Sequence, residues 1–285
     1  MIRHLLVSSR PLSWINTAYP FALAYLLLAR PVDPLALVVG ALYFLVPYNL
    51  AMYGINDVFD YESDLRNPRK GGVEGAVLAP ALHRPTLVAA AVTNVPFLVV
   101  LVLLGGPASW LVLAISVCAV VAYSAPVLRF KERPVLDSIT SSTHFVSPAV
   151  YGVALAGVAP DARTVLLLAA FFCWGMASHA FGAVQDIPSD REAGIGSVAT
   201  VLGARVTVIG SAVLYLLAGV LAACSGWPTQ LAGLLAIPYL AMVLPFATIT
   251  DATAERANRG WRRFLAINYG AGFGVTLLAI VTAIA

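Results

Sequence analysis

NDVFDYESDLRNPRK, residues 56–70, places Asp57, Asp60, Glu62 and Asp64 within fifteen positions of a 285-residue chain that is 60% hydrophobic and only 11% charged. Soluble domains carry charge on about a quarter of their residues. A polar run this dense therefore marks a surface where apolar spans end. Asn56, Asp60 and Asp64 fall at i, i+4 and i+8, so on a continued helix they project from one face over two turns. A second set, Asp186 and Asp190 with Glu192 behind them, stands in QDIPSDREAG, residues 185–194. Seven of the 14 acids lie in these two places, an arrangement that asks for something positive held there.

Around these runs the chain is apolar from end to end, with a mean hydropathy of +0.87. Crossing about 30 Å of hydrocarbon takes roughly 20 helical residues. Nine runs approach that length, near residues 12–29, 35–56, 86–104, 108–125, 138–158, 163–185, 204–224, 229–249 and 264–284. The expected fold is all-α: a polytopic membrane bundle of nine transmembrane helices around a central cavity, one domain over 1–285, with no linker long enough to separate two cores. Arg30, and no small-residue cleavage site, follows the first run, which reads as a retained span. Cys118, Cys173 and Cys224 sit in apolar runs without CxxC or Cys/His spacing, which excludes a thiolate metal site and makes them packing residues.

The 17 bases set the orientation. The N-terminus and the loops after spans two, four, six and eight hold all but Arg30 and Arg163, so the N-terminus and both acid clusters are expected in the cytoplasm and the C-terminus outside. In the loop YSAPVLRFKERPVLD, residues 123–137, Arg129, Lys131 and Arg133 alternate with apolar residues, as an extended segment showing three cations to one side would. The basic loop ITDATAERANRGWRRF, with Trp261 and Phe264, reads as positive-inside anchoring with interfacial aromatics and receives no site.

Two carboxylate clusters and a basic loop on one membrane side describe a divalent-metal diphosphate site. Carboxylate oxygens suit Mg²⁺, which binds through one or two carboxylates plus substrate phosphates. Arg129, Lys131 and Arg69 or Lys70 would take the remaining phosphate charge. An allylic diphosphate ionising there leaves a carbocation, which a dry helical cavity protects from water. Tyr53, Tyr123, Phe145 and Trp174 are candidates to face that cation, against a competing reading of each as helix packing. His144 and His179 lie inside spans, where ionisable residues mark function by default. His179, seven residues before Asp186, is two turns away on the same face. Asn16, Asn49 and Asn268 read as helix-to-helix hydrogen bonders. Pro188 disfavours helix at Ile187, so a kink is expected between Asp186 and Asp190.

At these residues the sequence resembles the UbiA superfamily of intramembrane prenyltransferases: Asn56, Asp60 and Asp64 after span two, Asp186 and Asp190 after span six, Tyr123 with Arg129 and Lys131 after span four. The resemblance implies Mg²⁺-dependent transfer from a prenyl diphosphate to a lipophilic acceptor. It makes Asp60, Asp64, Asp186 and Asp190 the catalytic metal-binding acids with Asn56 beside them, and Asn56, Tyr123, Arg129 and Lys131 substrate-binding; Arg69, Lys70 and His179 join the expected substrate-binding set on the residue-level reading above. NPRKGGVEGA, residues 67–76, replaces the Arg-Pro-small-Gly run of many quinone-pathway members. With AFGAVQDIPSDREAGIGSVATVLG, residues 180–203, it looks like the lycopene-elongase branch, which implies dimethylallyl diphosphate as donor and lycopene as acceptor in C50 carotenoid formation. The expected partners are these two and the bilayer, with no nucleic acid. A quinone-pathway aromatic prenyltransferase stays open. Outside the superfamily, an ion-coupled transporter would need acids in mid-span and repeated halves, and a CDP-alcohol phosphotransferase its DxxDGxxAR pattern; the sequence has neither.

Overall fold

The computed structural model describes residues 1–61, 65 and 77–284, all of whose regular elements are helical. Seven helical stretches are long and apolar enough to cross a membrane: Pro34–Phe59, Pro80–Leu104, Pro107–Ser124, Ala162–Val184, Ala204–Ala223, Thr229–Phe246 and Asp251–Ile284. Of the nine expected spans, the first corresponds to a helix of 14 residues, Ile15–Leu28, and the fifth to Leu136–Leu155, which carries Asp137, His144 and several hydroxyls. By contacts the chain divides into two compact units, Met1–Phe130 with His144–Ala159 and Lys131–Thr143 with Pro160–Ala285.

The first unit contains α1 (Ile2–Ser8), α2 (Ile15–Leu28), α3 (Pro34–Leu45), α4 (Pro47–Phe59), α5 (His83–Leu104), α6 (Pro107–Ser124) and the later turns of α7 (Leu136–Leu155). Asp33 caps α3 by accepting from the Leu35 N–H at 2.8 Å, and Pro34 fits its first turn, where no amide donor is needed. The run expected as one span over 35–56 is two helices in series. Pro47 cannot continue the hydrogen-bond ladder, and α3 ends just before it. Phe21, Tyr43, Phe44, Tyr48 and Tyr151 are fully buried, with Phe21 packed 5.3 Å from Phe44 and 5.9 Å from Tyr151 between ring centroids. Such pairs add about 0.5–1.5 kcal/mol each to the area they bury. Two of the phenols are bonded inside the unit: Tyr48 donates to the His144 carbonyl and accepts from Ser116, and Tyr151 donates to the Leu101 carbonyl. Asn49, expected as a helix-to-helix bonder, donates to Thr17 Oγ1 at 2.7 Å and to the Phe44 carbonyl at 2.8 Å.

The second unit contains the first turns of α7, then α8 (Ala162–Val184), α9 (Ile187–Glu192), α10 (Val198–Leu202), α11 (Ala204–Ala223), α12 (Ala236–Val243) and α13 (Asn258–Ile284). Asp161 caps α8 through the Thr164 N–H at 2.8 Å. Its core joins Phe181, Val184, Ile187, Val208, Tyr215 and Val243, and Tyr215 stacks on Tyr239 at 5.1 Å. Asn268 accepts from the Tyr239 hydroxyl at 2.7 Å, as its position in a span anticipates. Trp261 and Phe264 differ from the interfacial reading. They stack at 4.6 Å and pack, partly buried, on the core of this unit, because Gly182 lacks the side chain that would fill the space under the Trp261 ring. Cys118 and Cys224 also depart from expectation: they are exposed, Cys118 on α6 and Cys224 at the C-cap of α11, and only Cys173 is partly covered.

Candidate active site

The first motif rides on the carboxyl end of α4. Asn56 lies in its last turn and Asp60 is its C-cap, with the Asp60 N–H bonded to the Asn56 carbonyl at 2.9 Å. The helical register therefore holds through i and i+4. The Asn56 amide donates to Asp60 Oδ2 at 2.7 Å and to Ser124 Oγ at 3.1 Å, which fixes the carboxylate against the end of α6. Asp60 is only 6% exposed. Asp64, Arg69 and Lys70 lie outside the described residues.

Asp57, which the spacing left off this face, has its own partner. Arg10 donates to Asp57 Oδ1 at 3.1 Å, and its guanidinium stands over the Tyr53 ring at 4.2 Å. Tyr53, a candidate to face a substrate cation, thus carries one of the protein's own on a face of its ring. The sequence signal for this pair was weak, since a lone arginine before an apolar run reads as topology alone.

The second motif follows the carboxyl end of α8. That helix closes at Val184, Gln185 is its C-cap, and Asp186 is the N-cap of α9. The expected kink between Asp186 and Asp190 is corrected here, because the break falls before Asp186. Pro188 occupies the first turn of α9, where its missing N–H costs nothing, and the Asp190 N–H bonds the Asp186 carbonyl at 2.8 Å. The two acids therefore stand one helical turn apart, a spacing that brings side chains within about 5–6 Å at Cβ. Arg191 next door bonds Asp251 Oδ2 and the Thr200 carbonyl, which moors α9 to α10 and to the turn after α12.

Asp60 thus sits at a helix carboxyl end, whereas Asp186 and Asp190 open the amino end of α9. At a carboxyl end the aligned peptide dipoles leave roughly half a negative charge, which disfavours a nearby acid by about 0.3–1 kcal/mol. An acid kept at such an end, as Asp60 is, favours a cation beside it. The donor set, carboxylates with an amide beside them, suits a hard ion such as Mg²⁺. Among the described residues no three His, Cys, Asp or Glu side chains gather into a metal cage.

The basic loop is not extended. The Arg129 N–H closes a turn onto the Ala125 carbonyl, Phe130–Glu132 forms a 3-10 turn holding Lys131, and Val127, Arg129 and Val135 have positive φ. Pro126 and Pro134 begin these reversals by fixing φ, and tight turns replace the expected alternation of three cations. Burial pushes the Lys131 ammonium down to about 8, opposed by the charges of Glu132 and Asp190. Tyr123 packs edge-on to His144 at 5.1 Å, and Trp174 stacks with Phe264 at 5.8 Å. His179 on α8 faces Asp137, a residue the spacing argument passed over, at 3.7 Å from Nε2 to Oδ2. An acid in the first turn of a helix reads as a favourable charge at the helix start, which hid it.

Residues 17–269 match the UbiA prenyltransferase family. The chain belongs to that family. It is 55% identical to the lycopene elongase/hydratase of Corynebacterium glutamicum over 279 residues, 98% of this chain and 97% of that protein. It is 59% identical over 274 residues to the C(50) beta-cyclic carotenoids biosynthesis protein LbtBC of Dietzia sp., covering 96% of this chain and 63% of that one. A UbiA homolog from Archaeoglobus fulgidus bound to DMAPP and Mg²⁺ shares the fold, with a TM-score of 0.67 at 17% identity over 94% of this chain and 98% of that one. The chain is a multi-pass membrane protein and a prenyl-transferring enzyme. Family membership sets aside the transporter and the CDP-alcohol phosphotransferase.

Proposed function

We propose that this chain, as one catalytic domain over 1–285, transfers the five-carbon group of dimethylallyl diphosphate to lycopene. The observation that carries the reading is the 55% identity, over nearly the whole of both chains, to a protein named lycopene elongase/hydratase. Asp60 at the carboxyl end of α4 supports it, as a site that favours a cation.

Asp60, Asp64, Asp186 and Asp190 would hold Mg²⁺, with Asn56 fixing Asp60. Bound there, Mg²⁺ supplies Lewis acidity and a template for the departing diphosphate. Lys131, Arg129, Arg69 and Lys70 meet the remaining phosphate charge, Lys131 as a point charge and the arginines through paired N–H donors. Tyr123 and His179 are substrate-binding residues in this reading. The apolar helices exclude water from the allylic cation until a carbon nucleophile meets it. The acids face the cytoplasm in this reading, with the N-terminus on the same side and the C-terminus opposite.

Membranes containing the protein, given dimethylallyl diphosphate, Mg²⁺ and lycopene, should form products heavier by one and then two C5 units. Prenylation of 4-hydroxybenzoate or a naphthoate, with lycopene untouched, would overturn the acceptor and leave a quinone-pathway prenyltransferase.

A further inference from the structure

A carboxylate buried to 0% exposure in the first turn of a helix needs an account, and Asp137 has no part in the chemistry above. Both its oxygens are engaged within the second unit. Oδ1 accepts from the Ser138 N–H at 2.6 Å and the Ser138 hydroxyl at 3.2 Å, and Oδ2 accepts from the Val198 N–H at 2.7 Å. Donors of this kind hold a carboxyl in its charged form. The charge faces His179, whose side chain keeps 19% exposure, with Nε2 at 3.7 Å from Oδ2. That distance is an electrostatic contact, longer than a hydrogen bond, and such contacts tighten when the working complex forms.

The contact depends on a close approach of α7 and α8. One turn before His179 stands Gly175, where an added Cβ would lie 2.4 Å from Ser142 Oγ and 3.1 Å from Ser142 Cα. Only a glycine admits the neighbouring backbone so near, and Ser142 locks the pair by donating to the Phe172 carbonyl at 2.7 Å. The same two helices, one turn further on, set a charged carboxylate behind an imidazole. At about 1.5 Å of rise per residue, His179 lies about 7.5 Å along α8 from its last residue, Val184, deeper in the apolar span.

We infer that His179 is the proton acceptor of the prenyl transfer, oriented and electrostatically supported by Asp137 as a positioning residue. The inference rests on the acceptor being a polyene, as proposed above. When the C–O bond of the donor breaks, its electron pair leaves with diphosphate and a C5 allylic cation remains. The π pair of a terminal acceptor double bond joins that cation, and the positive charge moves to the acceptor's tertiary carbon. One proton must then depart. Either an adjacent C–H bond gives its pair to a new double bond and its proton to the imidazole, or a water oxygen bonds the cationic carbon and its proton goes to the imidazole. In both cases the ring becomes an imidazolium beside the Asp137 carboxylate, and later releases the proton to solvent. Without an acceptor the addition reverses, because the tertiary cation sheds the C5 unit again.

The test measures diphosphate released and elongated carotenoid formed in the same membranes, with dimethylallyl diphosphate, Mg²⁺ and lycopene supplied. In wild type the two should rise together. In H179Q, elongated product per diphosphate released should fall about a hundredfold, the lower reach of what a positioned base contributes, with C5 alcohols making up the difference. D137N should shift the same ratio by less. This gives a second reading if His179→Gln accumulates poorly, and a purely structural contact would leave the ratio alone. Unchanged coupling in both variants, or diphosphate release and product lost in parallel, would overturn the assignment. A wild-type chain that elongates nothing would overturn the acceptor reading and the proton acceptor with it, an outcome distinct from tight coupling in wild type and variants alike.

Discussion

Replacing Asp60 by Asn should move activity and stability in opposite directions. Asp60 caps the carboxyl end of α4 and is 6% exposed, with Oδ2 held by the Asn56 amide at 2.7 Å. Asparagine keeps the size and an oxygen able to accept that bond, so packing is preserved. It removes a negative charge from the negative end of a helix, which should relieve about 0.3–1 kcal/mol. If the charge serves the diphosphate, the loss falls on the transition state as the allylic C–O bond breaks. Groups aimed at such charge contribute about 3–4 kcal/mol, or 10²–10³ in rate. The assay is the initial rate of diphosphate release at matched protein level, paired with thermal unfolding of the detergent-extracted protein at one scan rate. The expected outcome is a rate down by at least about 10² with an unfolding midpoint equal to wild type or higher. A midpoint that falls with the rate would make Asp60 a structural acid, and a rate within a few-fold of wild type would remove it from the chemistry.

Three further outcomes follow from the same structure. Lys131 titrates at about 8, so it is a cation below that pH and neutral above it. The rate at limiting prenyl diphosphate should therefore fall as pH rises past about 8, where an ordinary lysine stays charged to about 10.4, and K131R should hold its rate through that range. Folding stability should shift the other way: the folded chain holds fewer protons than the unfolded one between about 8 and 10.5, so stability rises with pH across that window. R10A should remove one charged donor from the Asp57 carboxylate, which is 0% exposed, and lower the thermal unfolding midpoint. D57N added to R10A should recover part of that loss, and equal midpoints for R10A and wild type would refute the pairing. A reporter fused after Ala285 should lie on the extracytoplasmic side and one inserted between residues 66 and 75 in the cytoplasm; finding both on one side would refute the charge-based orientation.

The helical class, the membrane character and the two acid motifs were legible in the sequence because each rests on a local property. Apolar runs near 20 residues and acids at i and i+4 need no tertiary knowledge to be seen. What escaped depends on where helices stop. The polar loop over 123–137 looks extended by alternation, yet Pro126 and Pro134 fold it into turns with positive φ at Val127, Arg129 and Val135, which no period of two anticipates. Pro188 was read as a kink between the acids, when a proline in a helix's first turn is at home and the break falls one residue before Asp186. Asp137 was passed over because its partner, His179, is distant in sequence, and only the missing side chain of Gly175 brings the helices that carry them into register.

The motif spacing and the helix ends carry different information. Spacing says that Asn56 and Asp60, and Asp186 and Asp190, can act as pairs. The end of α4 says what sign of partner the first of those pairs awaits. An acid in mid-helix is indifferent to the peptide dipoles, and one at the amino end is welcomed by them. Asp186 and Asp190 open α9 at its amino end, whereas Asp60 stands as the C-cap of α4, where the backbone adds its own negative field to that of the carboxylate. That combined field is weak against water at an exposed loop. It is stronger for Asp60, which the Asn56 amide and its own burial keep in place, since the effective dielectric falls with burial. Placing Asp60 so raises the affinity of that end for a cation, and the same placement explains why neutralising Asp60 should leave the fold intact while removing the function.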